Sequence, residues 1–164
     1  MRIPGSKIAV PELPVGFVHR PALLDRLDQA DAGQLVVLVA PPGFGKTTLL
    51  SSWVRRPGGP PTVWISLDAL DDAARLRATL LAALTAMPDL PPDSPLRRVG
   101  RGRSAGAGLD VIDELVEALD AAAPALRVVL DDLQEMTAPE AWRDLRTQRD
   151  KDTSDTLILG RFGT

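Results

Sequence analysis

Apolar residues fall along this chain in two rhythms. Six come in unbroken succession at Leu35-Val36-Val37-Leu38-Val39-Ala40, and shorter runs recur at Val63-Trp64-Ile65, Val128-Val129-Leu130 and Leu157-Ile158-Leu159. Unbroken, largely β-branched runs of this length mark strands covered on both faces. They predict strands over 35–40, 62–67, 127–130 and 156–160. Between them the apolar positions recur at helical spacing. Pro21 opens a helix carrying Leu23, Leu24, Leu27 and Ala30 to about Ala32, with Gly33 as its stop. A second helix is expected over 46–56, closed by Pro57, and a third over 72–87, with Leu76, Leu80, Leu84 and Met87 on one face and Pro88 after it. Ile112, Leu115, Val116 and Leu119 predict a helix over 109–123. Thr137 and Glu140 have capping-box spacing ahead of a helix to about Arg149.

Strands that alternate with helices predict parallel strands joined by crossover helices, which are right-handed almost without exception. The expected fold class is α/β, a three-layer αβα sandwich around a parallel sheet.

Composition refines this picture. Of the fifteen prolines and thirteen glycines, most cluster at 4–16, 57–61, 88–95 and 100–108. They predict an extended lead-in over 1–16, one domain over 17–164, and a flexible loop over 88–108. The absence of cysteine excludes disulfide scaffolds, cysteine zinc sites and thiol catalysis, and the single histidine, His19, excludes any site that needs two. A net charge of −3 argues against a bulk electrostatic grip on nucleic acid. The basic run Arg97–Arg103 has no interleaved aromatic for base stacking, and a solvated loop explains it. The longest apolar run is too short to span a membrane, and no secretory leader is visible. A cytoplasmic location is the default.

The chemistry lies between the first strand and its helix, in Ala40-Pro41-Pro42-Gly43-Phe44-Gly45-Lys46-Thr47. A polyphosphate needs several backbone N–H groups aimed at one point, and small residues let the chain curl closely around it. Gly43 and Gly45 supply that freedom, with Pro42, Phe44 and Thr48 completing the phosphate-binding segment. Lys46 is a compact cation for the β- and γ-phosphates, and the Thr47 hydroxyl can ligate Mg²⁺. The N-terminal end of the following helix adds its positive dipole. The third strand ends in Asp131-Asp132. At the C-terminal edge of a parallel sheet, Asp131 can hold the magnesium through water, and Asp132 can orient an attacking water. The cofactors expected are therefore a nucleoside triphosphate and Mg²⁺. Asp68, Asp71 and Asp72 also cluster, and a helix cap explains two of them without a metal.

These segments resemble the ATPase module of large LuxR-type transcriptional regulators, within the signal-transduction ATPases with numerous domains, an AAA-like branch of the P-loop NTPases. The likeness is carried by Val18-His19-Arg20-Pro21-Ala22-Leu23-Leu24-Asp25-Arg26-Leu27, by Leu38 to Leu50 with Ala40-Pro41-Pro42-Gly43-Phe44-Gly45-Lys46-Thr47-Thr48 inside it (a Walker A segment), by Trp64-Ile65-Ser66-Leu67-Asp68, and by Val129-Leu130-Asp131-Asp132-Leu133 as a Walker B segment. The resemblance implies ATP as the nucleotide and a slowly hydrolysing switch. It implies that Val18, His19 and Arg20 lie near the adenine, and that Arg161, after the fourth strand, senses the γ-phosphate. It also implies a fifth strand beside the first, an inducer-sensing helical region and a DNA-binding end, none of which fits in 164 residues. The chain is therefore expected to be an incomplete module whose first strand is an exposed edge prone to self-association, with no direct nucleic-acid contact of its own. A small-molecule P-loop kinase and a non-catalytic nucleotide-binding fragment are the alternative readings.

Overall fold

The computed structural model describes residues 3–30, 35–87, 126–135 and 156–162. A 3-10 turn at Gly5–Lys7 is followed by α1 (Pro21–Asp28), β1 (Leu35–Val39), α2 (Lys46–Val54), β2 (Thr62–Ser66), α3 (Ala73–Ala86) and β3 (Leu126–Asp131). A second 3-10 turn at Leu133–Glu135 precedes β4 (Thr156–Phe162). The helices expected over 109–123 and 137–149, and the loop expected over 88–108, lie outside the described residues.

Each strand and each described helix falls where the apolar rhythm put it, and the differences are at the ends. α1 stops at Asp28 rather than Ala32, because the chain tightens into a turn in which the Ala30 N–H bonds to the Leu27 carbonyl at 3.3 Å. α3 is capped by Asp72, whose carboxylate accepts the Arg75 N–H at 2.7 Å. That capping satisfies one of the donors a helix start leaves orphaned.

The sheet has four strands in the order β1-β4-β3-β2. β2 and β3 pair in parallel, whereas β4 lies antiparallel to both of its neighbours, β1 and β3. β1, β2 and β3 therefore share one direction, and the expected all-parallel sheet is corrected to a mixed one. The reason is physical. An apolar run records that a strand is buried, not which way it runs, and direction is set by the connection that feeds it.

Side chains alternate across this sheet into two cores. Val63, Ile65, Val128 and Leu130 face α3, where they meet Leu76, Ala83 and Leu84. Trp64 and Val129 face the other way, onto Leu24 and Leu27 of α1 and Leu49, Leu50 and Trp53 of α2. This is the three-layer arrangement, with α1 and α2 on one face and α3 on the other.

The lead-in is part of the packed body. Ile8 packs against the α3-side core and Val10 against the α1/α2 side. Lys7 forms ion pairs with Asp71 and with Asp68, the latter at 3.0 Å. Arg55 at the end of α2 donates to the carbonyls of Val10 and Pro11 at 3.2 and 3.1 Å.

Candidate functional site

Two elements that end at the same side of the sheet build the site. β1 runs into the loop 40–45, and the loop turns straight into α2. Gly43 has φ of 81° and Gly45, the residue before α2, has φ of 75°. Both lie in the left-handed region that a side chain disfavours. These two residues curl the chain so that the Phe44 N–H returns to the Pro41 carbonyl at 3.4 Å, while the Gly45 carbonyl accepts the Leu49 N–H at 2.9 Å and starts the helix. The Lys46 ammonium folds over the curl and donates to the carbonyls of Ala40 at 2.7 Å and Pro41 at 3.2 Å. Pro42 and Phe44 are exposed at the loop's crest, and Thr48 is half-buried in the first turn of α2.

One residue along, the Thr47 hydroxyl reaches across the sheet and donates to Asp131 Oδ1 at 3.0 Å, joining residues 84 apart in sequence. Asp131 is buried at the end of β3. Burial raises its carboxyl pKa most, and the neighbouring Asp132 charge adds to the rise. Hydrogen bonds from Thr47 and from the Asp132 N–H, with the Lys46 charge, pull it back only partly, and it is pushed up to about 6. Asp132 carries φ of 58°, in the left-handed region. Aspartate tolerates that conformation better than most side chains. It reverses the chain, so that the Glu135 N–H bonds to the Asp132 carbonyl at 3.0 Å. The donor set suits a hard divalent cation: a hydroxyl and a carboxylate oxygen in contact, with a buried carboxylate that a cation would relieve.

Beside the loop, Arg20 at the start of α1 donates from Nη1 to the Phe44 carbonyl at 3.0 Å. The His19 ring lies 5.3 Å from the ring of Phe17 at an interplanar angle of 45°. The structure thus brings together Arg20, the loop, Lys46, Thr47 and Asp131, with Asp132 adjoining. It does not bring Arg161 to them. Arg161 pairs in register with Arg127 near the start of β3, while Thr156 is the β4 residue opposite Val39, where β1 enters the loop. Five strand residues, roughly 16 Å, separate those positions. The antiparallel course of β4 reverses the end at which Arg161 was expected.

Asp68 acquires a structural role that sequence reasoning left open. Its carboxylate accepts the Leu70 N–H at 2.9 Å and pairs with Lys7, and its own N–H bonds to Asp71 at 2.9 Å. Asp71 is buried, and Asp72 is the cap of α3. Among the described residues no cluster of three or more acids and histidines stands ready for a metal.

A sequence model of the AAA ATPase domain matches residues 19–157. The chain belongs to that family. The curled loop 40–45, Asp131 and Asp132 all lie inside the AAA ATPase domain match, and Arg161 lies beyond it. Curated relatives include the HTH-type transcriptional regulators MalT of Klebsiella pneumoniae, 39% identical over 85 residues, and of Vibrio campbellii, 38% identical over 80 residues. Those matches take in 51% and 48% of this AAA ATPase domain chain and 9% of each relative. The chain thus corresponds to a small part of the relatives it matches. No solved structure matches it. Among the described residues no helix is long and apolar enough to cross a membrane.

Proposed function

We propose that this AAA ATPase domain binds ATP with Mg²⁺ and acts as the nucleotide switch of a signal-responsive transcriptional regulator, hydrolysing slowly. The observation that carries the reading is the 3.0 Å contact between Thr47 and Asp131, which joins the start of α2 to the end of β3 beside the curled loop. In this reading the loop amides and Lys46 hold the phosphates, Thr47 and Asp131 hold the cation, and Asp132 orients water. Magnesium, when bound, supplies neutralisation of charge on the β- and γ-phosphates.

Slow turnover is supported by the placing of Arg161 at the far end of β4, because a charge-stabilising arginine at the phosphate contributes ~10³–10⁵ in rate. The regulatory role is supported by the transcriptional regulators to which the chain is similar. The test is a titration of a fluorescent ATP analogue with Mg²⁺ against wild type and Lys46→Ala. Binding to wild type, weakened at least about tenfold by the substitution, is expected for loss of a charge-assisted contact. Equal affinities would remove Lys46 from the site. Protease sensitivity that differs between the ATP- and ADP-loaded chain is the expected mark of a switch, and identical digestion patterns would count against one.

A further inference from the structure

Arg20 is exposed, yet its backbone and its guanidinium both have hydrogen-bond partners. It caps α1, its carbonyl accepting the N–H groups of Leu23 and Leu24, each at 3.1 Å, and Pro21 follows it. α1 is itself fastened to α2 at its other end. Asp28 accepts the Trp53 indole N–H at 2.6 Å and a hydrogen bond from Arg56 at 2.6 Å, while Leu24 and Leu27 are buried in the core shared with Leu49, Leu50 and Trp53. From this anchored base the guanidinium reaches the loop at one peptide unit. Nη1 donates to the Phe44 carbonyl, and Nη2 lies 3.8 Å from where a Cβ on Gly45 would sit.

A peptide unit is planar and trans, so its C=O and N–H point in opposite directions. Fixing the Phe44 carbonyl toward Arg20 therefore fixes the Gly45 N–H away from Arg20. This peptide joins two residues, one of which is a glycine at φ 75°, where both faces of the backbone are accessible and the unit can rotate. We infer that Arg20 is a positioning residue for phosphate. It pins the Phe44–Gly45 peptide so that the Gly45 N–H stays turned into the hollow of the loop, ready for a phosphate oxygen. The inference rests on the phosphate-binding reading above, and it differs from a role for Arg20 at the base.

Inorganic tripolyphosphate separates the two roles, because it has phosphates and no base. The experiment measures Mg²⁺·ATP and Mg²⁺·tripolyphosphate affinities for the full chain as wild type, Arg20→Ala and Arg20→Lys. Thermal melts establish that each variant is folded, as the exposure of Arg20 leads one to expect. Arg20→Ala should weaken both ligands by the same factor, about tenfold for one charge-assisted hydrogen bond. Arg20→Lys, which keeps a donor and a charge but not the fork, should recover part of the loss for both. A loss confined to ATP would overturn the inference in favour of a base contact, and no loss for either ligand would overturn it outright. If wild type binds neither ligand, the phosphate-binding reading falls, and this inference falls with it.

Discussion

Lys7 offers the sharpest test of how the lead-in is held. Its side chain is 16% exposed, and its partner Asp71 only 1%. Replacing Lys7 by Met leaves the Asp71 carboxylate buried with the Asp68 N–H as its remaining hydrogen bond among those described above. Breaking a fully buried pair costs ~3–5 kcal/mol, and the partial exposure of Lys7 brings the expectation down to about 2–3 kcal/mol. Asp71→Asn should cost less, about 1 kcal/mol, because Asn still accepts the Asp68 N–H and Lys7 keeps Asp68. Once Asp71 is neutral, losing Lys7 no longer strands a charge, so the double variant should recover about 1–2 kcal/mol relative to the sum of the singles. Urea unfolding of the four full-length chains measures this directly. Additivity within about 0.5 kcal/mol would refute the coupling. The pH dependence has a definite sign. Burial alone would lower the Lys7 pKa, but hydrogen bonds and charge from Asp71 and Asp68 outweigh it and hold the ammonium above its usual 10.5. Its contribution is therefore complete below that value and is lost as pH rises through the folded value. Asp68 is held below 3.8, first by the Lys7 hydrogen bond and then by the Leu70 N–H, so its contribution is complete above 3.8 and is lost as pH falls through the folded value. The difference between wild type and Lys7→Met should be flat from about neutral pH to about pH 9 and should shrink in acid, where the stranded Asp71 carboxylate can protonate, and a difference that grows in acid would contradict the assignment.

Two further substitutions test the architecture. Gly43→Ala places a Cβ in open space, so its cost is backbone strain alone, about 1–2 kcal/mol at φ 81°, whereas Gly5→Ala, equally open and without positive φ, should change urea stability by no more than about 0.5 kcal/mol. Leu50→Ala removes a fully buried side chain from the core between α2 and the sheet and should cost about 2–5 kcal/mol by the same measurement, and a loss below about 1 kcal/mol would place Leu50 outside a packed core.

The sequence was informative where the physics is local. The unbroken apolar runs located β1 to β4, and glycines two apart between a strand and a helix located the curled loop 40–45, because tight curvature demands residues of that type. Neither feature depends on distant partners. What was not legible depends on contacts made through space. The Lys7–Asp71 pair spans 64 residues. Arg20 reaches Phe44 over 24 residues, and no spacing rule announces it. The direction of β4 is not recorded in its apolar run, and the expected place of Arg161 changed with it.

The path of the lead-in has a further consequence. Ile8 and Val10, two residues apart, enter opposite cores, and the turn at Gly5–Lys7 lies against β2, so the segment passes around the β2 side of the sheet. Of the two outermost strands, β2 is thus fenced off from foreign backbones by a hem of prolines and ion pairs. Removing the hem should accordingly raise the tendency to self-associate above that of the intact chain.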